Sequence, residues 1–177
     1  MRQPPKSTSP SGRDATRAAQ VRDADATEID HLARLWNDGW QDAHARILPA
    51  ELARHRTLGS FRERLVDNLA QTRVAGPRRR PVGFCMVKRD ELYQLYVSAE
   101  ARGLGIAAAL LADGEQRLAD SGVTTAWLAC AIGNERAERF YAKQGWLRAG
   151  PMINELETPE GVYRLEVWRY EKPLRLG

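Results

Sequence analysis

Cysteine is scarce in this 177-residue chain: only Cys85 and Cys130 occur, both inside apolar stretches. A disulfide framework is therefore not expected, and the pair read as small buried hydrophobes in a reducing cytoplasm. No apolar run approaches the roughly 18 residues that a membrane-spanning helix needs, so no membrane association is expected. The N-terminus lacks the apolar core of a secretory signal, so none is expected. Histidine is as sparse, and His31, His44 and His55 are too scattered to suggest a metal site. Aromatics make up 7% of the chain and do not interleave with its basic residues, which argues against a nucleic-acid surface.

The charge present is basic, +4 with a pI near 9.3, and it favours an anionic partner, a polyphosphate cofactor being one candidate. Part of the excess lies in Arg2, Lys6, Arg13 and Arg17, and part in Arg78-Arg79-Arg80 between two prolines, where a solvated turn suffices to explain it. At 43% hydrophobic and 28% charged the composition is that of an ordinary globular protein, long enough for one domain with a real core. Residues 1–18, rich in Pro, Ser, Thr and Arg, read as a disordered tail before a domain at 19–177.

Residues 19–23 look like a first strand. Ile29, Leu32, Leu35 and Trp36 then follow helical spacing, with Thr27 as the expected N-cap and Gly39 as the expected end. A short helix is expected after Pro49, and another behind a Ser60/Glu63 capping box. The period then changes. Thr72–Ala75, Pro81–Lys88 and Leu92–Val97 read as strands, Ile106–Ser121 as a helix and Thr124–Ile132 as a strand buried on both faces. Asn134–Gln144 reads as a helix capped by Asn134, followed by strands at Trp146–Ala149 and Val162–Tyr170.

The informative stretch is Arg102-Gly103-Leu104-Gly105-Ile106-Ala107-Ala108. Two glycines permit positive φ and close approach of a ligand, and the following helix offers unpaired N–H groups and the positive end of its dipole. That combination suits a diphosphate. The same glycines fit a dinucleotide-binding fingerprint, but three features oppose it. Ser98–Ala101 separate the strand from the loop, the next strand ends without an acidic residue, and a hairpin precedes the motif.

From Leu95 to Ala107 the sequence resembles motif A of the GNAT N-acetyltransferases, where a strand leads into [Q/R]-x-x-G-x-[G/A]; here Arg102, Gly105 and Ala107 match. Anchored instead on Gly103 and Gly105, the first position is Glu100, a departure. About 25 residues on, Asn134, Ala137, Phe140, Tyr141, Gly145 and Trp146 resemble the family's second pattern, Asn followed by A-x-x-F-Y-x-x-x-G-F. Two motifs in order cover about residues 72–150. The resemblance implies an α+β acyl-CoA N-acyltransferase fold: a mixed, mostly antiparallel, twisted sheet of six or seven strands flanked by helices. It implies acetyl-CoA as cofactor, its arm in a cleft between the fourth and fifth strands, bonded by Leu95, Tyr96 or Val97. Asn134 and Phe140 would lie beside it, and Tyr141 would return a proton to the thiolate.

In some members a Glu at the start of the fourth strand serves as base, which places Glu91 in that role; a charged hairpin turn is the plain alternative. Trp36, Trp40 and His44 are the expected lining of the amine pocket. The expected reaction is direct attack by a small-molecule or peptide amine in a ternary complex. A non-catalytic acyl-CoA sensor of the same fold is the competing reading. Dimerisation is a habit of the family, but no homodimer interface is legible, and the acceptor is not identified.

Overall fold

A computed structural model describes residues 20–175; the tail expected at 1–18 lies outside them. A turn, Ala26–Glu28, opens the first helix, and Asp25 caps it, accepting from the Thr27 N–H (2.8 Å) while the Glu28 carboxylate accepts from the Asp25 N–H (3.0 Å). The N-cap is thus Asp25 and not Thr27, because Glu28 stands three residues later to complete the reciprocal box. Glu28 is almost fully buried. Burial would raise its carboxyl, but the Arg22 guanidinium and the N–H groups of Asp25 and Arg79 hold it below the ordinary range.

Helix α1 (Ile29–His44) buries Leu32, Ala33, Leu35, Trp36 and Trp40 along one face. It runs through Gly39, which was expected to end it. A Cβ at Gly39 would lie 2.6 Å from a ring carbon of Tyr96, so this glycine marks a close approach between helix and sheet. Helix α2 (Ala50–His55) is short, and α3 (Leu58–Asp67) begins at Thr57. Its capping box is Thr57/Ser60, not Ser60/Glu63, because Thr57 is the residue in extended conformation.

Seven strands follow: β1 (Val21–Asp23), β2 (Thr72–Ala75), β3 (Gly83–Lys88), β4 (Glu91–Val97), β5 (Thr125–Ala131), β6 (Leu147–Thr158) and β7 (Gly161–Pro173). They form one sheet in the order β1-β2-β3-β4-β5-β7-β6, in which every ladder but β4–β5 is antiparallel. Helix α4 (Ile106–Asp120) packs on one face with α5 (Glu135–Lys143), around Cys85, Leu92, Leu110, Leu111, Leu118, Leu128 and Trp146. On the other face α1 and α3 close over Val74, Phe84 and Met86 with Trp36, Phe61 and Leu65. Each large side chain so buried contributes about 1.5–3 kcal/mol.

Three expectations change. Strand β5 buries Ala126, Leu128 and Cys130, but Trp127 and Ala129 are only half-buried because that face borders a cleft. The last two strands are far longer than expected. Their distal half extends beyond the end of β5, whose ladder stops at Ala131↔Val167. The third change is a register shift in the β3–β4 ladder, where Met86↔Gln94 is followed by Val87↔Leu92. Tyr93 is the extra residue of this bulge. Strict alternation would put Tyr93 and Leu95 on one face. Instead Leu92 and Leu95 join the α4 core while Tyr93 and Tyr96 join the α1 core.

Candidate active site

Strands β4 and β5 share a single register pair, Glu91↔Trp127, reinforced by the Trp127 N–H and indole donating to the backbone and carboxylate of Asp90 (both 3.1 Å). Beyond that contact the described strands part. The gap runs into a cavity of about 1350 Å³ bordered by β4, β5, α1, α4, α5 and the distal β6–β7 hairpin.

The open edge of β4 has a defined polarity. The Ser98 N–H donates to the Val82 carbonyl at 2.8 Å, which makes Gly83↔Val97 a non-hydrogen-bonded pair. The backbone groups of Val97, and of Leu95 two residues earlier, therefore face the gap. Those of Tyr96 face β3, so of the three residues expected to bond a ligand arm only Leu95 and Val97 offer their backbone.

The glycine loop lies at one end of the gap. Gly103 (φ +76) and Gly105 (φ +78) both hold backbone conformations that favour glycine, and added Cβ atoms there would meet nothing within 4 Å. Gly105 precedes α4, and among the described residues no side chain caps the first turn, which leaves the N–H groups of Ile106, Ala107 and Ala108 available. Ile106 itself is anchored in the core. Arg102, Gly103, Gly105, Ile106, Ala107 and Ala108 border the cleft; Leu104 does not, and its side chain is half exposed. Asp42 of α1 binds Arg102 (2.7 Å) and Arg136 (2.9 Å) at this mouth, and those hydrogen bonds hold its carboxyl below the ordinary range.

Asn134 caps α5 through the Ala137 N–H (3.2 Å) and borders the cleft with Phe140 and Tyr141. Tyr141 packs between Phe140 (5.4 Å), Trp146 (6.3 Å) and Tyr170 (6.1 Å). Burial raises its phenol, so it keeps its proton at any ordinary pH. Cys130, beside it in the cleft wall, is pushed up to about 12 by burial and Glu138. A thiol so strongly protonated makes a poor nucleophile.

At the other end Glu91 is pushed up to about 7, by burial first and then against the opposing pull of Lys88. Leu92 turns to the α4 core, so Glu91 and Tyr93 flank it on the opposite face. Trp36 and Trp40 border the cavity but are closed into the α1 core, with Trp36 at 4.9 Å from Phe61 and 5.4 Å from Phe84. They line the cavity as packed structural wall. His44 sits against Trp40 and Tyr96, and burial pulls its pKa down to about 4.

Two residues without a signal in the sequence also border this end. Arg56 follows α2 and is buried; Arg64 of α3 lies over the rings of Trp36 (4.5 Å) and Tyr93 (5.5 Å). The hairpin adds Asn154–Pro159, and its tip reaches α2 where Glu160 approaches His55 at 3.6 Å.

Residues 29–146, from the start of α1 to the end of the second motif, match the sequence model of the acetyltransferase (GNAT) family. The chain belongs to the GNAT family. Two uncharacterised N-acetyltransferases, of Mycobacterium bovis and Mycobacterium tuberculosis, are each 37% identical over 91 residues, or 49% of this GNAT chain and 58% of the relative. The matched segment thus spans little more than half the length of those relatives. Among solved structures, a GCN5-related N-acetyltransferase of Rhodopseudomonas palustris superposes with a TM-score of 0.70 at 19% identity, over 89% of this chain and 96% of that one. The PaiA N-acetyltransferase of Thermoplasma acidophilum, solved with coenzyme A, gives 0.62 at 17% identity over 87% and 98%. YncA of Salmonella typhimurium, solved with acetyl-CoA, gives 0.66 at 14% over 90% and 96%. At these identities the likeness is one of fold. It agrees with the seven-stranded GNAT architecture, parted between β4 and β5.

Proposed function

We propose that this GNAT protein transfers an acetyl group from acetyl-CoA to a primary amine by direct attack in a ternary complex. The observation that carries the reading is the continuity of one cleft. It joins the uncapped first turn of α4 to the open edge of β4, and that edge to the raised carboxyl of Glu91.

The residues present fit the cofactor. Two positive-φ glycines with open space before them leave room for a diphosphate against the N–H groups of Ile106, Ala107 and Ala108. Leu95 and Val97 offer free backbone groups to the amides of a pantetheine arm. Acetyl-CoA supplies the activated thioester.

The chain's own residues do the rest. An acceptor amine of pKa about 10.4 arrives protonated, and Glu91, titrating near neutrality, is fitted to receive its proton. The Val97 N–H facing the gap is placed to stabilise negative charge developing on the acyl oxygen. Tyr141, kept neutral by burial, can return a proton to the departing sulfur. The thiol of Cys130, held protonated, favours direct transfer over a covalent acyl-enzyme. Its burial with that of Cys85 suits a reducing compartment, and the cytoplasm is the location we attach to this reading.

Calorimetric titration with acetyl-CoA, with NADH as control, tests the cradle. Binding of acetyl-CoA alone, followed by turnover over an amine panel, supports the transferase. Binding without turnover of any amine would make the protein an acyl-CoA sensor, and no binding would remove both readings.

A further inference from the structure

Charges in this protein are paired in an unexpected way. Partly exposed guanidinium groups such as Arg22, Arg73 and Arg102 take carboxylate partners at 2.6–2.7 Å. Arg56, with 8% of its surface exposed, takes none: among the described residues no hydrogen bond or ion pair engages its guanidinium, whose nitrogens keep their little exposure toward the cavity. A charge so largely buried without a partner is costly, and it opens on the cavity where an anionic group could reach it. Burial, together with the like charge of Arg64, pulls Arg56 below the ordinary guanidinium range.

Arg64 is nearby and also lacks a carboxylate among the described residues. Its guanidinium lies over the rings of Trp36 and Tyr93 and donates to the Tyr93 hydroxyl, which restrains it. The amine of Lys88 also lies over the Tyr93 ring, 5.3 Å from its centre. Glu63, Asp67, Glu91, Glu155 and Glu157 border the same cavity, yet none comes within ion-pair distance of Arg56 or Arg64. The acceptor end therefore presents Glu91, suited to receive an ammonium, together with two guanidinium groups that have no carboxylate partner among the described residues.

We infer that the acceptor is an amino acid, an amine carrying its own carboxylate, with that carboxylate received by Arg56 and Arg64 while its amine faces Glu91. This rests on the transferase reading above. A polyamine or aminoglycoside would bring further ammonium groups against two guanidinium groups. A plain alkylamine would leave both guanidinium groups without a counter-charge. A zwitterion satisfies both ends of the pocket.

The test pairs each amino acid with the same skeleton lacking the carboxylate. Full-length protein and acetyl-CoA are assayed with L-α-amino acids, β-alanine and γ-aminobutyrate, each against its decarboxylated amine or carboxamide, with spermidine as the polycation. At least one amino acid should exceed its partner in kcat/KM by about 10–100-fold, the range expected of charge-assisted hydrogen bonds. Arg56→Gln should collapse that ratio toward one, mainly through KM, and Arg56→Lys should restore part of it.

A second readout needs neither cofactor nor turnover. Without ligand, Arg56→Gln should melt higher than the wild type, since it removes a charge disfavoured by desolvation and by Arg64, and the preferred amino acid should raise the Tm of the wild type only. Acetylation of spermidine or plain amines in preference to amino acids would overturn this inference and leave the transferase standing. A lower Tm for Arg56→Gln, with no amino acid stabilising the wild type, would overturn it whatever acetyl-CoA does.

Discussion

At the scale of single residues, Glu91 sets the sharpest expectations. A base that titrates at about 7 makes kcat rise with pH through neutrality and level off above it, and Glu91→Gln should flatten that limb while slowing transfer about 10²–10⁴-fold. The stability consequence has the opposite sign. Because folding raises this carboxyl above its unfolded value near 4.3, the protonated form favours the fold, and that contribution is lost as pH climbs toward and through about 7. Glu91→Gln should therefore melt higher than the wild type at pH 8 and alike at pH 4, measured by differential scanning calorimetry. Tyr141→Phe should cut kcat at least tenfold while changing acetyl-CoA affinity far less; an unchanged kcat would reduce Tyr141 to packing. The position of Glu91 at the head of β4 was legible because an acidic residue opens a run of strand formers, and the positive φ of the loop glycines was legible from their type. Arg56 was not. Its sequence neighbours resemble those of any surface arginine, and its meaning is burial without a partner, which only the tertiary structure supplies.

Elements were easier to read where one local force decides them. The helical stripes of α1 and α4 and the Asn134 cap were plain in the sequence, because apolar spacing and side-chain capping act within a few residues. Gly39 was misread for the converse reason: it looks like a helix stop, yet it is kept small by Tyr96 of β4, 57 positions away in the chain. Gly39→Ala should gain about 1 kcal/mol in helix propensity and lose more, up to about 3 kcal/mol, to overpacking against that ring. A lower Tm is expected, and a raised one would mean the ring yields freely. The bulge at Tyr93 could not be foreseen, since alternation of side chains holds only while the ladder keeps register. Nor could the length of β6, whose Gly150-Pro151 reads as an ending until β7 is there to pair with it.

For the whole molecule, the order of elements and the place of the cleft were legible, because two motifs anchored α4 and α5 on either side of it. What escaped was the closure of that cleft. The distal hairpin and α2 meet across it at His55 and Glu160, a contact between segments 105 residues apart with no local signature. The tie at the opposite mouth has a consequence of its own. Asp42 already occupies Arg102 and Arg136 as an internal anion, so a diphosphate bound at the loop as proposed would displace one negative group to install another. Cofactor capture is then an ion exchange, and its affinity should weaken only mildly as salt is added. Asp42→Asn leaves both guanidinium groups to counter-ions from solution, and acetyl-CoA should then bind more tightly in dilute buffer and lose that gain steeply with rising ionic strength. Parallel salt curves for the two proteins would show that the diphosphate never meets these arginines. Diverging curves would show the empty enzyme carrying its own stand-in for the ligand, one that spares the loop from the stray phosphates of the cell.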